Sequence, residues 1–368
     1  MGSIELVAGL LLLLFALVPL LWKLLRARPV WIKLLVLIAW VAAYAGVSWA
    51  YSTFIEPAPP ERAVTNRPQI EHRDGYVGSE TCRSCHIHHH ETWHDSYHRT
   101  MTQTASPTSV MGDFEDVRLE LDGVDYNLTH EGEKFFVESS GKRSEIVMTT
   151  GSHHMQVYWF DSGEGREVGQ LPFVYLLDQE RWIPRTAAFL RDPRIPRSDE
   201  FGRWNKACLK CHSTHSSWRP DAELKNARTV VSEFGISCEA CHGPGENHVA
   251  LNRNPLRRYA LHLGEKRDPS IVQPQHIESG RSSQVCGQCH STGEPNSPES
   301  FLQWRDDGYT YRPGENLFES RFVIRRHQTN RPAMIQGLID DDRHFLDDHF
   351  WADGMVRVSG REYTGLLD

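Results

Sequence analysis

Two uninterrupted apolar runs open the chain: neither Leu6 to Trp22 nor Leu34 to Ile55 contains a charged residue. About 20 apolar residues suffice to cross a bilayer as a helix, so the pattern predicts two transmembrane helices over about residues 5–22 and 34–55. Lys23, Arg26, Arg28 and Lys33 form an acid-free basic loop between them. The positive-inside rule puts that loop in the cytoplasm and both chain ends across the membrane. A cleaved signal peptide fits less well, because Glu5 stands where a basic n-region belongs. Residues 56–75 follow, with Pro57, Pro59, Pro60 and Pro68, and read as a stiff extended spacer. A helix is expected from about Cys82 to Met101. After it, Val117, Leu119 and Leu121 alternate with Arg118 and Glu120, Asp122-Gly123 makes a turn, and Val124, Tyr126 and Leu128 resume the alternation. That is a hairpin signature. Further strands are expected at Phe135 to Glu138 and Ile146 to Thr150, giving a small antiparallel sheet from Asp113 to about Trp159 within a β-rich insertion at 111–200. Beyond residue 300 the chain is polar and carries little periodic signal.

All eight cysteines fall into four copies of Cys-x-x-Cys-His: Cys82, Cys85 and His86; Cys208, Cys211 and His212; Cys238, Cys241 and His242; Cys286, Cys289 and His290. Two thiols one helical turn apart can take the two vinyl groups of a haem as thioethers, while the adjoining histidine reaches the iron. Paired cysteines also hold structural zinc, but zinc leaves the four histidines unexplained. Disulfides within such short spacings would staple almost no chain. The motifs therefore imply four covalent c-type haems, with the eight cysteines as attachment points and His86, His212, His242 and His290 as proximal ligands. They divide the soluble part into a first haem segment at 76–110, the β insertion, a three-haem segment at 201–300 and a polar C-terminal segment at 301–368. The fold class expected is a multihaem cytochrome c, mainly α and irregular around its haems, with a small antiparallel β insertion and two N-terminal transmembrane helices.

The formal net charge is −8 before any haem propionate is counted, an acidic balance that argues against nucleic acid as a partner. The membrane and redox partner proteins are the expected ones. Haem of the c type is attached outside the bacterial cytoplasm, which agrees with the predicted topology: a chain in the cytoplasmic membrane with its N and C termini and haem domain in the periplasm.

Sixteen histidines remain beyond the motifs. His98 lies 12 residues past His86 on the expected helix, about 18 Å along its axis. It is too far to cap its own haem and is a candidate for a neighbouring one. His248 follows Gly243, Pro244 and Gly245, which turn the chain back sharply and make it a distal candidate. His215 stands too near His212 to reach the opposite side of the same ring. One of His153 and His154, at the end of the expected sheet among apolar residues, is a further candidate. Met101 and Met155 are weaker thioether candidates, since methionine more often packs.

Thr150-Gly151-Ser152-His153-His154-Met155-Gln156, Gly235 to His248, Arg281 to His290 and Asp353 to Leu366 resemble a family of bacterial multihaem c-type cytochromes, of the cytochrome c-552/4-like kind, related to tetrahaem carriers and to the hydroxylamine oxidoreductase group. The resemblance covers about residues 76–368. It implies closely stacked, mostly bis-histidine haems, with distal roles for His98, His248 and one of His153 or His154. Similar proteins continue past the stretch resembling Gly360 to Tyr363 with further haem motifs, so the ending at Asp368 leaves open a fragment or a truncated product, for which four haems would be a lower limit. Two functions stay open: a membrane-anchored tetrahaem carrier passing electrons between partners, or a multihaem oxidoreductase of nitrogen or sulfur compounds with one open-coordinate haem. The absence of a Cys-x-x-Cys-Lys variant favours the non-catalytic carrier.

Overall fold

β-Branched and aromatic residues recur from residue 117 to 184, and they build far more sheet than the alternating stretches alone suggest. The computed structural model describes residues 23, 26–40, 42, 61–188, 202–223, 226–264, 266–357 and 360–367. The chain divides into Met1–Pro60 and Glu61–Asp368.

In the first unit residues 30–40 are helical. Among the described residues no helix is long and apolar enough to cross a membrane. Neither expected transmembrane helix is found among the described residues. The span at 5–22 lies outside the described residues, as does most of the span at 34–55.

The second unit begins with β1 (Gln69–Ile70), which runs parallel to β13 (Val230–Phe234); β13 in turn pairs antiparallel with β10 (Ser213–Ser217). Between β1 and β10 the chain forms a large antiparallel sheet. β2 (Thr102–Thr104) pairs with the end of β6 (Lys142–Thr150). The continuous order is β3 (Val117–Leu121), β4 (Val124–Glu131), β5 (Lys134–Ser139), β6, β7 (Met155–Asp161), β8 (Val168–Leu176) and β9 (Arg181–Pro184). The Asp122-Gly123 turn has both residues at positive φ, 53° and 77°, as the mirror-image turn matching strand twist requires.

The sheet is curled into a nearly closed barrel. Tyr126 on β4 and Phe173 on β8 lie four strands apart, about 19 Å in a flat sheet, yet their rings are 5.4 Å apart. Trp182 on β9 reaches Phe114 just before β3 at 5.6 Å and donates to the Asp113 carbonyl at 3.2 Å. Phe114, Leu128, Val137, Ile146, Tyr158 and Leu171 fill one core. Met148, Val157, Trp159, Val168 and Val174 form a second with Trp204, Leu209, Val231, Phe234 and Trp304. Consecutive residues Tyr158 and Trp159 thus serve opposite faces, each essentially sealed from solvent. The expected mainly α fold with a small β insertion is corrected accordingly: the sheet is eight-stranded and spans 102–184.

The remaining elements are short. A two-stranded ribbon joins β11 (Pro220–Asp221) to β12 (Asn226–Ala227), and another joins β14 (Gly293–Pro295) to β15 (Arg321–Val323). The helix expected to run unbroken to Met101 is instead Ser79–Arg83, Ile87–His94 and a 3-10 turn at Arg99–Met101. His98 is thereby freed from the helical face of His86.

Candidate metal centre

Each Cys-x-x-Cys-His motif sits at a short helical turn. In the first, the Cys85 and His86 amides donate to the Cys82 carbonyl at 3.1 and 2.9 Å; in the fourth, the Cys289 and His290 amides do the same to Cys286 at 3.1 and 2.9 Å. The third occupies the helix Cys238–His242. The second follows a π-helical turn at Trp204–Cys208 and ends on the helix Leu209–His212. All eight thiols are free. Among the described residues no three His, Cys, Asp or Glu side chains converge as a metal cage, so the cysteine pairs do not close into the tetrahedral site zinc would take.

The histidines show a different arrangement. His86 and His248 face each other with ring centroids 6.2 Å apart and planes 22° apart. His290 and His98 do so at 6.3 Å and 88°. Two imidazoles bound to one metal at about 2 Å each place their ring centres about 6 Å apart, so both pairs are spaced to hold one iron between them. Burial lowers the pKa of His86, helped by His248, and burial lowers that of His98, helped by His290. Burial also lowers His212. All three are thus biased toward the neutral imidazole that a metal needs.

Second partners orient several of these rings. His242 Nδ1 lies 2.7 Å from the Val272 carbonyl and donates to it. His290 Nδ1 is 3.0 Å from Glu362, and His248 Nδ1 is 3.1 Å from Ser270 Oγ and 3.3 Å from Asp268. Tying Nδ1 leaves Nε2 as the coordinating atom and fixes the ring plane. His212 Nδ1 is buried without a hydrogen bond.

The motifs associate in an order that the chain order does not suggest. The Cys82 thiol lies against Cys238, and Cys211 against Cys289; in each pair the contact and burial raise one thiol, Cys82 and Cys289. Arg361 spans the second pair, with Nη1 2.7 Å from the carbonyls of Cys289 and Ser291 and 3.8 Å from Cys211 Sγ. The first and third motifs line one cavity of about 1860 Å³ together with His98 and His248, larger than the usual few hundred to one thousand Å³ of a single small-molecule site. Glu239, inside the third motif and 1% exposed, ties its parts together. Its carboxylate accepts from the amides of Val77 and Gly78, just before the first motif, and of Gly245, on the turn leading to His248, at 2.8–3.1 Å.

Other histidines are placed elsewhere. His153 and His154 stack on each other at 3.8 Å, and His153 on Tyr97 at 4.1 Å; both are exposed, and no ring contact joins them to a motif histidine among the described residues. His215 stacks on Tyr76 at 4.2 Å and bonds Asp74 at 2.7 Å. Met155 packs against the second core. Sequence reasoning missed Glu239, Asp268 and Glu362, acidic side chains with no motif of their own whose roles arise from folding.

A thioether-forming motif set, imidazole pairs at iron spacing and a cofactor-sized cavity define a multihaem c-type cytochrome, the class that carries covalent haem c. Residues 193–243, which include the second and third motifs, match the model of the cytochrome c554 and c-prime family. No curated protein matches the chain. Among solved structures, the outer cell wall cytochrome OcwA is similar with 21% identity and a TM-score of 0.45, covering 78% of this chain and 50% of that one. An undecaheme cytochrome from the S-layer of Carboxydothermus ferrireducens is similar at 17% identity and a TM-score of 0.35, covering 68% of this chain and 28% of that one. The chain thus spans half the length of the first relative.

Proposed function

We propose that the protein is a tetrahaem electron carrier, with one haem on each Cys-x-x-Cys-His motif, passing electrons between redox partner proteins in the periplasm. The observation that carries this reading is the pair of imidazole couples, His86 with His248 and His98 with His290, at 6.2 and 6.3 Å. Protein ligands on both sides leave an iron no position for substrate. When bound, the haem irons supply reversible ferrous–ferric chemistry. The chain's own side chains do the rest: Ser270, Asp268 and Glu362 hold the ligand rings in plane, and Glu239 keeps the first and third motifs and the His248 turn in register. The side-by-side placement of the first motif with the third, and of the second with the fourth, suits transfer over short distances.

The second reading, an oxidoreductase of nitrogen or sulfur compounds, draws on one observation: neither His212 nor His242 faces another imidazole ring among the described residues. Electron paramagnetic resonance of the oxidised holoprotein separates the two. Low-spin signals alone are expected for the carrier. A high-spin signal amounting to one haem in the chain's set would sink the pure-carrier reading and favour the oxidoreductase.

A further inference from the structure

The cavity shared by the first and third motifs has a strongly basic side. Arg253, Arg258, Lys266 and Arg267 line it, contributed by the end of helix Glu246–Asn252, by helix Pro255–Leu263 and by the segment that follows. None of the four has a carboxylate partner among the described residues; Arg258 is engaged only by the backbone carbonyls of Asn252 and Arg253. The acidic groups facing the same cavity are already committed. Asp268 holds Arg257 at 2.7 Å together with Asn252 and Ser270, and Glu239 is saturated by three backbone amides. All four are exposed residues, and together they give this side of the cavity a surplus of positive charge in a chain whose formal net charge is −8, a local complement to an anionic ligand.

We propose that Arg253, Arg258, Lys266 and Arg267 are the anchoring cations for the propionates of the haems on the first and third motifs. This rests on the carrier reading's placement of a haem on each motif. Each haem carries two propionates, so two haems in this cavity bring four carboxylates to four cations. The cysteines secure the vinyl edge covalently, and the propionates occupy the opposite edge of the macrocycle, so anchoring that edge fixes the ring where His248 meets the iron. The cations also act on the iron. Positive charge nearby disfavours the ferric state, which carries one more positive charge than the ferrous, so these residues raise the potential of these two haems above that of the same haems without them. They further hold the propionates ionised across the neutral range.

The test is spectroelectrochemical titration of holoprotein with Arg258→Gln and Arg267→Gln introduced together, alongside Arg258→Lys and Arg267→Lys. The Gln variant is expected to lower the midpoint potentials of two haems, leave the rest in place, and make the two shifted potentials pH-dependent near neutrality as the released propionates take up protons. The Lys variant is expected to retain the native potentials. Unchanged potentials in the Gln variant, or an equal shift of every haem, would overturn the proposal. Intact mass establishes that each variant carries its full haem set, and a variant that loads incompletely is replaced by Arg253→Gln with Lys266→Gln. The carrier reading fails separately, through a high-spin signal in the native protein, which leaves the potential shifts measurable and the anchoring decided by them.

Discussion

His215 shows how a residue's meaning is set by what folds against it. Three residues past a ligand histidine, it stacks on Tyr76 and donates Nε2–H to Asp74. Burial lowers its pKa to about 4; the Asp74 bond opposes the shift, and Arg312 and Arg73 reinforce it. The sign is that of a base depressed by folding. Below pH 6.5 the unfolded chain takes up a proton that the folded one refuses until about pH 4, so stability rises with pH through that window. The loss on acidification from 6.5 to 4 is on the order of 2–3 kcal/mol. Denaturant unfolding of holoprotein at intervals between these values is expected to show this slope, and His215→Gln to flatten it. An equal slope in the variant would remove His215 as the cause. His248 was legible as a ligand candidate because Gly243-Pro244-Gly245 breaks the helix, and Gly243 indeed adopts φ of 79°. Its facing of His86 was not legible, since that contact closes over more than 160 residues.

At the scale of elements, sequence reading found β3, β4 and β5, which keep a face toward solvent, and the apolar end of β6 at residues 146–150, which is buried. β3 and β4 alternate cleanly, as their intermediate and exposed positions show. β7 and β8 do not, because both their faces are covered: Val168 to Tyr175 is buried throughout, and a strand buried on both sides reads as a continuous apolar run. The barrel was therefore underestimated by its most buried half. Gly235 marks where the smaller sheet meets the ligand turns. It sits at φ of 73°, its amide donates to the His212 carbonyl at 3.3 Å, and the next amide donates to the His98 carbonyl at 2.9 Å. A Cβ there would collide with the Arg99 backbone carbonyl. Gly235→Ala is expected to cost about 2–4 kcal/mol through strain and displaced backbone. It should also loosen His98, which thermal unfolding read with the low-spin haem spectrum would register together. A change within about 0.5 kcal/mol would show that the backbone yields without cost.

At the scale of the molecule, the spacing of motifs along the chain suggests one haem apart and three together, whereas folding sets the first motif beside the third and the second beside the fourth. Glu239 and Arg361 are the side chains that stitch these associations. Replacing Cys82 and Cys85 by alanine is expected to remove one haem from the intact mass. It should shift the potential of the haem on the third motif more than that of the haem on the second, because charge interactions fall with distance and are weakly screened inside protein. Equal shifts in potentiometric titration would contradict the pairing.

The cofactor chemistry was determined by sequence alone, because thioether attachment and proximal ligation depend on five adjacent residues whose spacing is covalent. The strands with one wet face were determined the same way, by a local period. Which imidazole faces which, which motifs neighbour each other and how far the sheet curls were decided only by tertiary structure. Those are contacts between residues far apart in the chain, selected by packing of apolar faces and by buried carboxylates seeking amides, and no local pattern encodes which distant partner will satisfy them.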